Sequence, residues 1–313
     1  MRDAFIQEIE RLAADPDGDE RIVVVTADIG NRMFNRFREA NPGRFVNTGI
    51  AEANMTGIAA GLAMAGLRPF TYTIASFNPG RCLEQIRLDI CQHNLPVTVV
   101  GVGAGLGYAS LGPTHHALED IAWLRSIPNM TVLCPCDPVE TRCAVRAALR
   151  HDGPVYLRLG KKGEPTVHFR EPDFRIGGSI RLREGGDAAL LAVGAVMPEA
   201  LKAADLLAEK GVAASVYSFH SVKPMDTRLL ESLFDSVSIV FVIEEHVASG
   251  GAWSAVAEWL AERGGGGARL GRIGMPDEFH HLAGGQGWAR RHFGLDAKSV
   301  AGRIRSALKK CGS

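Results

Sequence analysis

The sequence predicts an α/β protein of two domains, each a mostly parallel sheet flanked by helices. Short apolar runs alternate with helical stretches along the whole chain, the signature of strands joined by crossover helices. The runs are also continuously apolar, as strands covered on both faces must be. In the first half, strands are expected at Ile22–Thr26, Arg44–Val46, Phe70–Thr73, Val97–Val102, Thr131–Leu133 and Val155–Leu159. Residues 160–175 (GKKGEPTVHFREPDFR) break the rhythm with charge and two prolines and read as a linker. A second unit follows, with strands near Ala188–Val193, Ala214–Phe219 and Ile239–Ile243. The expected division is residues 1–160, a linker at 161–175, and residues 176–313, and a chain of 313 residues suits two domains.

With 46% apolar and 22% charged residues the composition is that of an ordinary globular protein. A formal net charge of zero argues against nucleic-acid binding and gives no attraction to a membrane surface. No apolar run reaches the roughly 18 residues that cross a bilayer. The opening stretch, MRDAFIQEIERLAADPDGDE, reads as an amphipathic acidic helix rather than a signal peptide. Six cysteines (Cys82, Cys91, Cys134, Cys136, Cys143 and Cys311) show no framework spacing, and Cys134-Pro-Cys136 is a CxC. Reduced thiols and a cytoplasmic location are expected. The glycines at 264–267 read as a surface loop.

One acid stands alone in an apolar, glycine-rich run at 44–64, RFVNTGIAEANMTGIAAGLAM. Phe45 and Val46 extend, Gly49 turns, and small residues continue at helical spacing as a buried helix. Ionised in such surroundings, Glu52 would lose several kcal/mol of solvation, so it is paired, protonated or not on the buried face. A plain first-turn glutamate favoured by the helix dipole is the bland alternative. Upstream, VVVTADIGNR puts Asp28 at a strand's C-terminal end, where α/β proteins place ligand-contacting residues. Downstream lie YTIASFNPGRCLEQIRLDI (72–90), with Phe77 and Arg81, and LGPTHHALEDIAWLRSIPNMTVLCPCDPVE (111–140), with His115 and His116. The two histidines could also form a metal pair or a solvated loop. Adjacent side chains seldom converge on one ion, however, and no cysteine or carboxylate stands at ligand spacing.

These segments, in this order, resemble the pyrimidine-binding domain of transketolase-type thiamine diphosphate enzymes. The second half resembles the transketolase C-terminal domain, including EEHVASGGAWSAVAEWL at 244–260. Gly49, Ile50, Glu52 and Met55 match the family's G-I-x-E-x-x-M pattern. The resemblance therefore implies that Glu52 shares a proton with N1′ of the cofactor's aminopyrimidine, the help that readies C2 for reaction. It implies further that Phe77 stacks on the pyrimidine ring, and that Asp28, Ile50 and Arg81 join the cofactor contacts. His115 would face cofactor and substrate, with His116 standing where the family usually has glutamine. Gly250 and Gly251 could cradle a phosphate; because the family's C-terminal domain binds no cofactor, tight strand–helix packing is expected instead.

What is missing bears on partners. The family binds the diphosphate through Mg²⁺ held by a Gly-Asp-Gly motif on a separate domain, and this chain has no such tripeptide: Gly18-Asp19 precedes Glu20, and Gly186-Asp187 precedes Ala188. The resemblance implies a split enzyme, in which a diphosphate-binding N-terminal subunit supplies most of the Mg²⁺ site and the two chains form an α2β2 heterotetramer. Substrate anchors also depart from the pattern. Leu111 stands where ordinary transketolases have an aspartate, Gly103 where they have a histidine, and Lys161, with Arg158 nearby, where they have a phosphate-binding arginine. The expected activity is transfer of a two-carbon ketol or acyl unit from a sugar-type or 2-oxo acid donor to an aldehyde or ketone acceptor, with an unusual sugar fitting the altered anchors. The alternatives are a β-type subunit of a 2-oxo acid dehydrogenase and a non-catalytic subunit that only stabilises a dimer.

Overall fold

The computed structural model describes residues 1–15, 18–30, 32–281 and 283–310; Cys311 lies outside them. The first half runs α1 (Arg2–Ala14), β1 (Ile22–Thr26), α2 (Asn35–Ala40), β2 (Phe45–Asn47), α3 (Glu52–Met64), β3 (Arg68–Ile74), α4 (Asn78–Arg81) and α5 (Leu83–Gln85). A π-helical segment, Ile86–Cys91, leads on to β4 (Thr98–Val102), α6 (Asp120–Arg125), β5 (Thr131–Leu133), α7 (Pro138–Arg150) and β6 (Val155–Leu159). The second half comprises β7 (Ile180–Arg183), β8 (Ala188–Val193), α8 (Met197–Ala208), β9 (Ala214–Ser218), β10 (Ser221–Lys223) and α9 (Thr227–Ser236). It ends with β11 (Ile239–Glu244), α10 (Ala252–Glu262), β12 (Arg269–Ile273), α11 (Gln286–Phe293) and α12 (Ala297–Lys309).

Two sheets result. The first has the order β10-β5-β6-β4-β3-β1-β2 and the second β12-β11-β8-β9-β7. Every pairing is parallel except the antiparallel edges, β10 on β5 and β7 on β9. β1, β4 and β6 are buried along their whole length, which is why they read as unbroken apolar runs. Each expected strand is present, its ends within one or two residues of those read from the sequence. The three that the sequence hides, β7, β10 and β12, are all edge strands. β7 and β12 are half exposed and interrupted by arginines, and β10 has only three residues.

One expectation is corrected. The helix α3 is not buried all round: Met55, Thr56, Ala59, Ala60 and Ala63 face the core, whereas Ala53, Gly57, Gly61 and Met64 are exposed. Residues 161–175 hold no helix or strand, and side-chain contacts fasten them to the first half. The Val167 and His168 amides donate to Asp137 Oδ2 at 2.9 and 3.1 Å, and His168 Nε2 meets Glu140 Oε1 at 2.7 Å. Asp137 can serve this strap because it already caps α7, accepting from the Glu140 amide, with Pro138 at the first helical position. Phe174 then stacks on His220 at 4.0 Å.

The halves are also joined by crossing elements. β10, from the second half, completes the first sheet. At the end of β11, Glu245 accepts from the Leu106 amide (3.1 Å) and from Arg290 Nε (2.6 Å), so the second half props the loop after β4. Among the described residues no helix is long and apolar enough to cross a membrane, and the five described cysteines are free and buried.

Candidate active site

The loops that follow β1, β2, β3, β4 and β6 in the first sheet bring most of the expected residues together, at the strands' C-terminal ends. Gly49, at φ +73, turns the chain after β2, and Glu52 opens α3. Its carboxylate is 4% exposed and accepts from Arg81 Nη1 at 2.8 Å. So the lone acid is both a first-turn glutamate, suited to the helix N-terminus, and an ion-paired one. Arg81 ends α4, and its guanidinium lies over the Phe77 ring, 4.2 Å from the centroid. His115 meets the Phe77 ring edge-on, centroids 5.2 Å apart, with Nδ1 2.9 Å from Thr114 Oγ1.

Asp28 and Ile50 frame this group. Asp28 takes a left-handed φ of +55; its amide donates to Asn47 Oδ1 (3.0 Å), and Asn47 Nδ2 donates to its carboxylate (3.1 Å). Asn47 Oδ1 also accepts from the Gly49 amide, so one side chain couples Asp28 to the turn that presents Glu52. Ile50, on that turn, is 78% exposed.

Three residues sit differently from the sequence reading. Arg158 does not face a substrate space: it is buried, pairs with Asp120 at 2.7 Å, and donates to the backbone oxygens of Ala117 and Glu245 at 3.0 Å each. Burial opposes its charge, but the adjacent Asp120 carboxylate prevails and holds it firmly protonated. His116 is buried and lines a cavity together with Thr114, Glu119 and Trp123, while His115 packs on Phe77. At Gly103 the anchor is not simply missing, because the position is filled from elsewhere. Its φ is +74, and a Cβ there would lie 1.9 Å from Tyr108 Cε2. Tyr108 covers the glycine, approaches His115 (centroids 6.3 Å) and carries Lys161 Nζ 4.6 Å above its ring. The sequence reading missed Tyr108; its signal is an aromatic set just after Gly103, Gly105 and Gly107. Leu111 is exposed on the same loop.

Two other candidate ligand sites are satisfied by the chain itself. The N-terminus of α10, after Gly250 and Gly251, is filled by this chain's own Glu244, which accepts from the Ala252 and Trp253 amides at 2.8 and 3.0 Å. A Cβ on Gly251 would sit 2.5 Å from Glu244 Oε2, so packing is what these glycines serve. Cys136, Asp137 and His168 lie close enough to share a metal ion. Yet Asp137 is committed to backbone amides, His168 to Glu140, and burial pushes the Cys136 thiol well above its ordinary value.

A tandem α/β protein with an acid, an aromatic ring and a histidine at the strand ends of its first sheet belongs to the class that builds active sites from loops. Residues 1–165 match the family model of the transketolase pyrimidine-binding domain, and residues 177–300 that of the transketolase C-terminal domain. The chain belongs to the transketolase family. It is 36% identical over 293 residues to a subunit of the apulose-4-phosphate transketolase of Actinobacillus succinogenes, covering 93% of this chain and 94% of that one. To the 6-deoxy-6-sulfo-D-fructose transketolase subunit SqwH of a Clostridium species it is 36% identical, covering 96% and 92%. Against 1-deoxy-D-xylulose-5-phosphate synthase 2 of Geobacter sulfurreducens it is 39% identical but spans only 48% of that protein. Among solved structures, a split gene transketolase described as an inactive beta4 tetramer superposes with a TM-score of 0.88 at 36% identity, over 98% and 97% of the two chains. A transketolase from Pichia stipitis shares the fold at a TM-score of 0.80 and 20% identity, over 46% of its length. These likenesses favour a transferase subunit of a split transketolase over a dehydrogenase β-type subunit.

Proposed function

We propose that this chain is the C-terminal half of a split thiamine diphosphate-dependent transketolase, moving a two-carbon ketol unit onto an aldehyde or ketone acceptor. The observation that carries the reading is the Glu52–Arg81–Phe77–His115 cluster at the C-terminal ends of the first sheet. These residues fit the pyrimidine half of the cofactor: a buried carboxylate with one oxygen engaged by Arg81, beside an aromatic ring. Asp28, Ile50, Glu52, Phe77 and Arg81 would hold that half. Bound there, the cofactor supplies a carbon nucleophile. Glu52 holds and returns a proton at pyrimidine N1′, while Arg81 fixes the edge at which its carboxylate is presented. His115, with Nδ1 tied to Thr114, keeps Nε2 for a substrate oxygen, and Lys161 gives the site a cation for a phosphate or sulfonate tail.

The Mg²⁺ and diphosphate contacts fall to a second polypeptide, since no Gly-Asp-Gly motif occurs here. The exposed apolar face of α3, with Ile50 just before it, supports an association surface, and an α2β2 assembly in the cytoplasm fits it. A boundary at 161–175 between domains 1–160 and 176–313 completes the reading. Names of the relatives support an unusual sugar as substrate, in keeping with Leu111 and the Tyr108-covered Gly103. The test is reconstitution. The purified chain alone should show no transfer and no Mg²⁺-dependent tight cofactor binding, and adding a partner that bears the Gly-Asp-Gly motif should restore both. Micromolar binding of Mg²⁺–thiamine diphosphate by the lone chain in calorimetry would overturn the split arrangement.

A further inference from the structure

The loop between β4 and α6, residues 103–119, carries Tyr108 and His115, yet much of what holds it comes from the second half of the chain. Its apolar side chains Leu106, Ala109 and Leu118 belong to the core cluster built by β8, α8, β11 and α12. Backbone bonds accompany them. The Gly284 amide donates to the Ala109 oxygen at 3.3 Å, and the Val247 amide to the Leu118 oxygen at 2.9 Å.

One of these contacts is made by a charged side chain. Glu245 is buried, and its two oxygens are engaged from opposite sides. The Leu106 amide donates to Oε2 at 3.1 Å, and Arg290 Nε donates to Oε1 at 2.6 Å. Gln286 Nε2 lies 3.4 Å from both oxygens. Arg290 is anchored in turn, since Nη2 donates to the Ala195 backbone oxygen at 2.8 Å. A carboxylate this deep persists only when paired and hydrogen-bonded; here α11 supplies the cation and the loop backbone the other donor.

Gly105 shows where the carboxylate bears on the loop. Its φ is +60, and a Cβ there would run into the Glu245 carboxylate. Gly105 also pairs with Ala117, amide to oxygen in both directions, at 3.0 and 3.2 Å. That bridge pins the base of the excursion 106–116, on which the Tyr108 and His115 rings stand 6.3 Å apart. Glu245 therefore grips the base from which both rings are presented.

We propose that Glu245 is a positioning residue of the active site: held by Arg290, it fixes the Gly105–Leu106 base and so sets where Tyr108 and His115 stand. The second half thereby serves the reaction by holding a loop of the first. Glu52 and Arg81 lie outside this control, on the segments that follow β2 and β3. The catalytic meaning rests on the transketolase reading; the placement of the two rings does not.

The test compares Glu245→Gln and Arg290→Lys with wild type. Gln keeps the length and one acceptor but loses the charge. Lys keeps the charge but cannot bond Glu245 and the Ala195 oxygen as a guanidinium does. In the full chain without a partner, both variants should shift the NMR resonances of the His115 imidazole and the Tyr108 ring, at equal folding by circular dichroism. In the reconstituted enzyme, Glu245→Gln should lower kcat/KM by about 10²-fold, the scale of a small misplacement, and Arg290→Lys by less. Exchange of the cofactor's C2 hydrogen should keep its wild-type rate, a split that a merely structural role would not give. If Glu245→Gln does not fold, Arg290→Lys, which leaves a cation beside the carboxylate, decides. Unmoved His115 and Tyr108 resonances in the folded variants, or exchange and transfer falling together, would overturn the proposal. Absence of both exchange and transfer in the reconstituted wild type would instead count against the transketolase reading, and the resonances would still decide the positioning.

Discussion

Arg158 grips Asp120 at two points inside the protein, Nε to Oδ2 at 2.7 Å and Nη2 to Oδ1 at 3.1 Å. The Tyr156 hydroxyl donates to the same carboxylate at 2.6 Å, and the guanidinium reaches on to the Glu245 backbone oxygen. This one side chain therefore joins β6 to the start of α6 and to the end of β11. Lys161, three residues later, is half exposed above Tyr108. Two neighbouring cations thus sit in opposite settings, one buried between the halves and the other partly exposed over an aromatic ring.

Exchange of the two should separate stability from binding. Arg158→Ala leaves Asp120 buried and unpaired, a loss on the order of 3–5 kcal/mol, visible as a large drop in Tm. Lys161→Ala should change stability by no more than about 0.5 kcal/mol, while raising KM for substrates with an anionic tail. Thermal melts and steady-state kinetics on the reconstituted enzyme decide this. A stable Arg158→Ala variant with a raised KM would restore the substrate role that the structure denies it.

The strap at 161–175 should make stability depend on pH. Burial works against the His168 charge, yet its bond to Glu140 prevails and raises its pKa. Burial likewise works against ionised Glu140, but His168 and the Cys136 amide hold its pKa down. A raised histidine contributes fully below its unfolded value near ~6.5 and loses that contribution as pH climbs through the folded one. A lowered glutamate contributes fully above its unfolded value near ~4.3 and loses it as pH falls through the folded one. The pair is therefore strongest between about pH 4.5 and 6.5. Denaturant titrations should show wild-type stability falling as pH rises above that window, and His168→Gln should flatten the slope. Identical slopes would show that the pair gives nothing to folding.

Tyr108 over Gly103 bears on substrate choice. Gly103→Ala meets both a left-handed φ and the tyrosine ring, and should cost about 1–3 kcal/mol in a thermal melt. Each hydroxyl left without its usual anchor costs on the order of 1–3 kcal/mol. Two of them should hold kcat/KM with xylulose 5-phosphate and ribose 5-phosphate down by about 10²-fold or more relative to a less hydroxylated pair. Near-equal values across a panel of ketose phosphates and sugar acceptors would mean that other groups replace the anchors.

Much of the architecture was legible because parallel strands buried on both faces announce themselves as apolar runs, as at Ile22–Thr26 and Val155–Leu159. Edge strands carry no such mark, so Ile180–Arg183 and Arg269–Ile273 stayed hidden among their arginines. At the site, Glu52, Phe77, Arg81 and His115 could be found by short-range pattern, and they do come together. Arg158 was misjudged because a strand residue's facing depends on partners far away in sequence, here Asp120 and Glu245. Tyr108 was missed for the same reason: nothing local tells that its ring folds back over Gly103. Glu245 lies 139 positions from Leu106, and only the closed fold brings its carboxylate to that amide.

The account turns on Glu52 as the group that exchanges a proton with the cofactor's pyrimidine. Glu52→Gln preserves the size of the side chain and an oxygen for Arg81, but cannot take up or release that proton. The decisive measurement is exchange of the cofactor's C2 hydrogen, followed by NMR in the reconstituted complex, for wild type and Glu52→Gln at equal folding by circular dichroism. The account predicts that exchange slows by at least about 10²-fold, the usual scale of lost acid–base help. An unchanged rate would contradict it, leaving Glu52 a structural acid whose purpose is to anchor Arg81 at the start of α3.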